Sequence, residues 1–308
     1  MTLTIEIPLV GGGREPVDLK RTLMSHGVGD LPPSFIDEDR PTLVTTIELA
    51  PGRARTVTIE QGSARTVRVS VAGRRPSKTD AAALETAVAH ILRLDQDLSL
   101  FYEMVKADPE LSWAGRGAGR MTRSATVLED LVKTVCTTNC TWSATVRMVT
   151  ALVEHLGTPA PGAPPDGPQG RAFPSAEVMA GADESFYREV VRAGYRGPYL
   201  AALARSVATG ELDLEALGSA TPDELPDDEL EATLLALPGV GPYAAAHMMM
   251  MLGRYSRLIL DSWTRPTFLA RSGMKRAKDS TITRRFKPYG DYSGLAFWLY
   301  LTESWVED

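Results

Sequence analysis

With only two cysteines, Cys136 and Cys140, in 308 residues, the chain cannot carry a disulfide framework, nor assemble a four-cysteine zinc or iron–sulfur site from its own residues. No uncharged apolar run approaches the roughly 20 residues that cross a bilayer, so no membrane partner is expected. The opening MTLTIEIPLV has no basic stretch ahead of an apolar one and reads as no secretory signal. A reducing cytoplasm is the expected location. Excess positive charge is lacking too: the net charge is −6, so any contact with nucleic acid has to come from a local patch. The chain is long enough to bury a large core in two domains, the larger of them subdivided.

Residues 1–77 are strand-like. TLVTTIEL, ARTVTIEQ and ARTVRVSV combine β-branched residues with partial alternation and are separated by PGR and GS turn signals. After RRPSKTD the period changes. DAAALETAVAHILRLD puts Leu84, Val88, Ile91 and Leu92 on one helical face, with Thr79 or Asp80 as N-cap. Residues 78–308 read as almost wholly helical, with helices over 96–107, 124–156, 183–193, 198–209, 227–236, after Gly241, and over 291–304. The Pro/Gly-rich 158–170, TPAPGAPPDGPQG, cannot be helical and is expected to join two subdomains. The class is α+β: a small N-terminal antiparallel sheet domain followed by a larger all-helical domain in two subdomains.

Two features bear on chemistry. In LPGVGPY, residues 237–243, Gly239 and Gly241 permit positive φ and a close backbone approach, and Pro242 suits the first turn of the helix that follows. The N–H groups of such a hairpin form an anion site that fits a phosphodiester, although the same residues suit an ordinary interhelical turn. RSGMKRAKDSTITRRFK, residues 271–287, holds seven basic residues against one acid, a stripe able to meet phosphates or simply water. Met248 to Met251 are consecutive, cannot share a face, and read as core filler. Cys136 and Cys140 stand at helical i,i+4 spacing without further ligands, so no metal site is expected.

Asp261, in RLILDSWTRP eighteen residues beyond Tyr243, completes a pattern. Hairpin and downstream acid together resemble the helix-hairpin-helix DNA glycosylases of base excision repair. GRMTRSATVLEDLVKTVCTTNCT is similar to the segment of the 8-oxoguanine DNA glycosylase branch that ends in Cys-Ser-Ser-Asn-Asn-Asn. AGYRGPYLAALAR is similar to its Gly-Tyr-Arg-Ala-Arg-Tyr stretch, and YGDYSGLAFWLYL to its Gly-Pro-Tyr-Ala-Gly-Trp-Ala-Gln helix. The resemblance covers residues 95–305. It implies a TATA-binding-protein-like N-terminal sheet, shared with the bacterial 3-methyladenine DNA glycosylase II family. It further implies a DNA phosphate bound at Gly239, Val240, Gly241 and Tyr243, a hairpin able to hold a monovalent cation, no iron–sulfur cluster, and a catalytic Asp261. Asn139, Tyr195 and Arg196 would fill the gap left by a flipped nucleotide, because a base must leave the stack to be attacked. The implied partner is double-stranded DNA containing a damaged base, met by a monomer in the cytoplasm at the nucleoid.

The departures narrow the chemistry. Where the 8-oxoguanine enzymes place a Schiff-base lysine, this chain has Tyr243, which removes the nucleophile of the lyase step. Phe297 replaces a base-reading glutamine, His247 a pocket cysteine, and Ala144 an arginine that would meet the partner cytosine. Tyr243, His247, Phe297 and Trp263 are expected to form an aromatic base pocket suited to alkylated purines, with His247 equally readable as a core histidine. The expected activity is monofunctional hydrolysis of a damaged purine's N-glycosidic bond, Asp261 stabilising the developing oxocarbenium charge. The alternatives are an 8-oxoguanine-type enzyme with an altered pocket, and a non-catalytic module that recognises DNA structure. Asp261 speaks against the module, since an acid beside phosphates weakens binding.

Overall fold

The computed structural model describes residues 3–63 and 65–306. Strands β1 (Leu3–Pro8), β2 (Phe35–Asp37), β3 (Thr42–Ala50), β4 (Arg53–Gln61) and β5 (Thr66–Val71) form one antiparallel sheet in the order β1-β5-β4-β3-β2. In β5 the valines at 67, 69 and 71 all point inward while Arg68 faces water, the period of two that a half-buried strand imposes. Helices α1 (Leu19–Leu23) and α2 (Lys78–Ile91) cover the inner face, and Leu84, Val88 and Ile91 share one core with Leu43, Val57 and Ile59. The sheet domain therefore continues past residue 77. A sheet of this size has an apolar face to bury, and the first long helix after it provides the cover. That helix is capped by Ser77, whose Oγ accepts from the Asp80 N–H at 3.0 Å, and not by Thr79 or Asp80.

The helical part has two cores. The first holds α4 (Val127–Thr137), α5 (Trp142–Leu156), α6 (Ala176–Gly181), α7 (Gly197–Ala208), α8 (Leu214–Ser219) and α9 (Asp227–Leu235). The second is discontinuous in sequence: α3 (Ser99–Val105) and residues 111–121 pack with α11 (Thr264–Ser272), α12 (Asp279–Phe286) and α13 (Ser293–Thr302). Helix α10 (Pro242–Met251) belongs to both. Met248 and Met249 enter the first core, Met250 and Met251 the second, so the four methionines fill two volumes from one turn of helix.

Three expectations about this region are corrected. The helix expected over 124–156 is broken at residues 138–141, where Asn139 takes φ +46° and Thr141 caps the next helix. Residues 183–193 supply only a wide helical turn over Phe186–Val190. The loop 158–170 does not join subdomains: its flanking helices α5 and α6 lie in one core, and it leans instead on the sheet domain, where Ala160 and Ala172 meet Ala54 and Thr158 Oγ1 donates to Glu48 Oε1 at 2.8 Å.

Sheet and helices are locked together by buried arginines. Arg120, fully buried, donates to the carbonyls of Arg93 and Gln96 at 2.6 and 2.8 Å and pairs with Glu15. Arg93 in turn sends Nη1 to the carbonyl of Met251, the last residue of α10. Each of these two guanidiniums thus has acceptors for part of its donor set, while Nε of Arg120 is buried without a partner among the described residues.

Candidate active site

The hairpin before α10 is built as its glycines suggest, though they do different work. Gly239 has φ +80°, and a Cβ there would stand 2.9 Å from the Tyr199 ring, so both conformation and space require glycine. Gly241 has φ −103° and nothing within 4 Å of where a Cβ would sit, which leaves the backbone open to an approaching group. Val240 turns inward, 8 % exposed, and its N–H bonds back to the Leu237 carbonyl at 3.2 Å. Among the described residues the N–H groups of Gly239, Gly241 and Tyr243 meet no acceptor. They head a helix with Pro242 at its first turn, so partial positive charge gathers at this end.

Asp261 shares a cleft of about 720 Å³ with the hairpin; Asn139, Tyr195, Tyr199, Tyr243 and Ser262 also line it. Its Oδ1 accepts from the N–H groups of Trp263 and Thr264 at 2.8 and 2.6 Å, and its own N–H donates to Thr264 Oγ1 at 2.8 Å. Asp261 thereby caps α11, which fixes the carboxylate in place and leaves Oδ2 without a partner among the described residues. Tyr243 lies close enough that burial, together with the negative charge of Asp261, raises its phenol above the ordinary tyrosine range, and its hydroxyl meets Thr137 Oγ1 at 3.3 Å. Tyr195 stands 53 % exposed, with Asn139 Nδ2 3.3 Å from its hydroxyl. Hairpin, acid and aromatic tip are thus brought to one surface from three separate parts of the chain.

No family model matches the chain, and no curated protein matches it. Solved structures do. The 8-oxoguanine glycosylase/lyase of Clostridium acetobutylicum in its apo form superposes with a TM-score of 0.72 at 18 % identity, covering 98 % of this chain and 97 % of that one. The 3-methyladenine DNA glycosylase of Archaeoglobus fulgidus gives 0.72 at 18 % identity over 97 % and 98 % of the two chains. The Clostridium protein with double-stranded DNA containing cytosine opposite 8-oxoguanine gives 0.71 at 19 % identity over 98 % and 97 %. The chain has the helix-hairpin-helix DNA glycosylase fold.

Within this glycosylase fold several expected placements are corrected. Phe297 is fully buried in the second core against Phe268 and Phe286, at ring distances of 6.4 and 5.2 Å, and forms no wall of the cleft. Trp263 packs its ring on Trp298 and Trp305, beside the cleft rather than in it. His247 is buried behind Tyr243, stacked at 6.1 Å, with Nδ1 3.0 Å from Thr134 Oγ1. Arg196 does not reach outward: 6 % exposed, it bonds the Thr138 carbonyl, sets Nε 3.3 Å from Thr138 Oγ1, and lies 4.5 Å under the Tyr195 ring. It therefore fixes the turn that carries Asn139 and supports Tyr195 from below. Of the basic stripe, Arg271 and Arg285 are neutralised by Glu303 and Glu110, leaving Lys275, Arg276, Lys278, Arg284 and Lys287 without an ion pair among the described residues. Tyr199 was not anticipated; it lies in the first turn of α7, its ring 6.2 Å from that of Tyr195 in the turn before that helix.

Burial makes this site acid-sensitive. It pushes His247 down to about 3 and His26, whose ring meets that of His247 edge-on at 5.8 Å, down to about 4. Both are neutral in the fold, whereas the unfolded chain takes up protons as pH falls below about 6.5. Stability is therefore complete above that pH and drains away toward pH 4, by about 2 kcal/mol for each histidine at pH 5. Asp130, raised by burial to about 6, and Asp30 and Glu215, also raised by burial, oppose this, while His90, lowered by burial to about 4, reinforces it. Thermal melts should show a clear fall in Tm between pH 7.5 and 5; a constant Tm would mean that the pair is hydrated and not buried.

Proposed function

We propose that this chain is a DNA glycosylase that extrudes a damaged purine, an alkylated one in the first instance, and hydrolyses its N-glycosidic bond without a lyase step. The observation that carries the reading is Asp261: a carboxylate held by helix N–H groups, opening on a cleft that also offers unpaired hairpin N–H groups and an exposed tyrosine. Anion-binding N–H groups suit a phosphate, the tyrosine suits the space left in a base stack, and the carboxylate suits the positive charge that grows on the sugar as the base departs. The carboxylate oxygen without a partner is also placed to orient the attacking water.

Among the described residues no lysine lines the cleft, and Tyr243 is a phenol, held neutral by its burial, that forms no imine. Incubation with duplexes carrying single defined lesions should release a base from at least one of them, and the strand should break only after alkali or heat. Borohydride should trap no covalent adduct. Efficient trapping would show that another amine attacks the sugar and that the hydrolytic mechanism is wrong, whereas tight binding without release from any lesion would leave a DNA-structure-binding module.

A further inference from the structure

Tyr199 stands in the cleft between two parts suited to touch DNA at different points, the hairpin and the exposed ring of Tyr195. On one side it is pressed against the hairpin backbone. Its Cδ2, Cβ and Cγ lie 2.9, 3.3 and 3.3 Å from where a Cβ on Gly239 would be, so ring and turn meet with no room for a side chain between them. On the other side its ring lies 6.2 Å from that of Tyr195 at 77°, an edge-to-face pair. Hairpin, Tyr199 and Tyr195 thus form one unbroken chain of contacts, although they come from two distant stretches of sequence.

Tyr195 needs such a neighbour. It sits in the single turn Gly194–Arg196 ahead of α7, and a ring so exposed has several rotamers open to it. The Arg196 guanidinium supports one face at 4.5 Å, and Asn139 Nδ2 reaches the hydroxyl at 3.3 Å. Both of these supports are tied to the turn at residues 138–141. Tyr199 is the support that also touches the hairpin. Its hydroxyl makes no hydrogen bond among the described residues, so the packing of its ring is what holds it.

The two ends of this chain suit unlike tasks. Hairpin N–H groups grip a phosphate at any sequence, whereas an aromatic tip gains from a base stack only where a gap exists or can be opened. A protein that uses both has to set the spacing between them, or the tip meets the stack out of step with the bound phosphate.

We infer that Tyr199 is a positioning residue: it holds Tyr195 at one distance from the hairpin, so that capture of a phosphate brings the aromatic tip to one particular step of the strand. The inference rests on the glycosylase reading and supplies the part that makes anchoring and extrusion a single event. The ring edge does the work and the hydroxyl none, so phenylalanine serves equally well at this position.

The test reads binding, so that it survives failure of the activity itself. The full chain is titrated by fluorescence anisotropy with an undamaged duplex and with one carrying a tetrahydrofuran abasic analogue, in which the gap already exists and no base can be released. The variants are Tyr195→Ala, Tyr199→Ala, Tyr199→Phe, Tyr199→Leu and the combination of Tyr195→Ala with Tyr199→Ala. Leucine keeps apolar bulk at the start of α7 should alanine unsettle it, and thermal melts accompany each variant. Wild type should bind the abasic duplex at least about ten-fold more tightly than the undamaged one, within the range for stacking on one base. Tyr199→Ala and Tyr199→Leu should lose that preference as fully as Tyr195→Ala does, with affinity for the undamaged duplex within about two-fold of wild type, and Tyr199→Phe should keep it. The combined variant should be no worse than either single one, as for two residues acting as a unit. Losses that multiply in the combined variant make Tyr199 an independent contact, and an equal fall on both duplexes makes it a support of the hairpin alone; either overturns the inference while leaving the glycosylase reading intact if base release persists. A wild type that does not distinguish the two duplexes overturns both. Retained coupling with no base release from any lesion duplex would overturn the glycosylase reading and leave the positioning role standing.

Discussion

Replacing Asp261 by asparagine is expected to lower base release by about 10²–10³-fold or more while leaving the fold intact and DNA binding unchanged or tighter. Asparagine is nearly isosteric and caps helices as well as aspartate does, so its side-chain oxygen can still accept from the Trp263 and Thr264 N–H groups. What disappears is the charge. On the proposed mechanism, that charge repels the phosphodiester backbone in the ground state and faces positive charge on the sugar in the transition state, and only the second interaction would speed the reaction. Single-turnover excision beside fluorescence anisotropy on the same lesion duplex separates the two effects. Near-full turnover by the variant would remove Asp261 from the chemistry, and a parallel loss of binding would indicate a damaged helix start.

The second large effect concerns stability. Truncating Phe297 to alanine should cost about 3–5 kcal/mol, the range for removing a fully buried phenylalanine, because Phe268, Phe286 and Tyr300 close around it and cannot collapse into the space left. Activity per folded molecule should stay close to wild type. Melting curves and excision assays run on the same preparations check this. A variant that melts normally but no longer excises would put Phe297 at the base after all.

That residue also shows where the sequence stops being legible. The alternating valines of β5 and the stripe of Leu84, Val88 and Ile91 each have a wet side and a dry side, so their pattern states which way they face. Helix α13 has none: every residue from Ser293 to Thr302 is buried, and without a polar stripe nothing in the pattern sets its phase. The same holds for α10, whose one guide was the hairpin in front of it. The break at 138–141 was hidden for another reason. Thr-Thr-Asn-Cys-Thr contains neither proline nor glycine, and the turn depends on Arg196 reaching Thr138 from 58 residues away, a tertiary cause that no local window contains. The discontinuous second core was hidden in the same way, since residues 98–121 look like any other helical segment until their partners beyond residue 246 are known. Asp261 and the hairpin were singled out through a resemblance that joins two distant segments, and the structure places both at helix starts on one cleft.

The burial of α10 on every side has a mechanical consequence. A helix that supplies side chains to two cores at once cannot act as a hinge between them, since any rotation that relieved one would open voids in the other. Its far end is also tied to the sheet domain through Arg93. The lobes flanking the cleft are therefore jaws welded at their common bone, and they present a fixed template. On the proposed function, whatever bending or unstacking is needed to bring a nucleotide to Asp261 would have to be done by the duplex, so softness in the DNA at a weakened base pair would become the first property the protein tests.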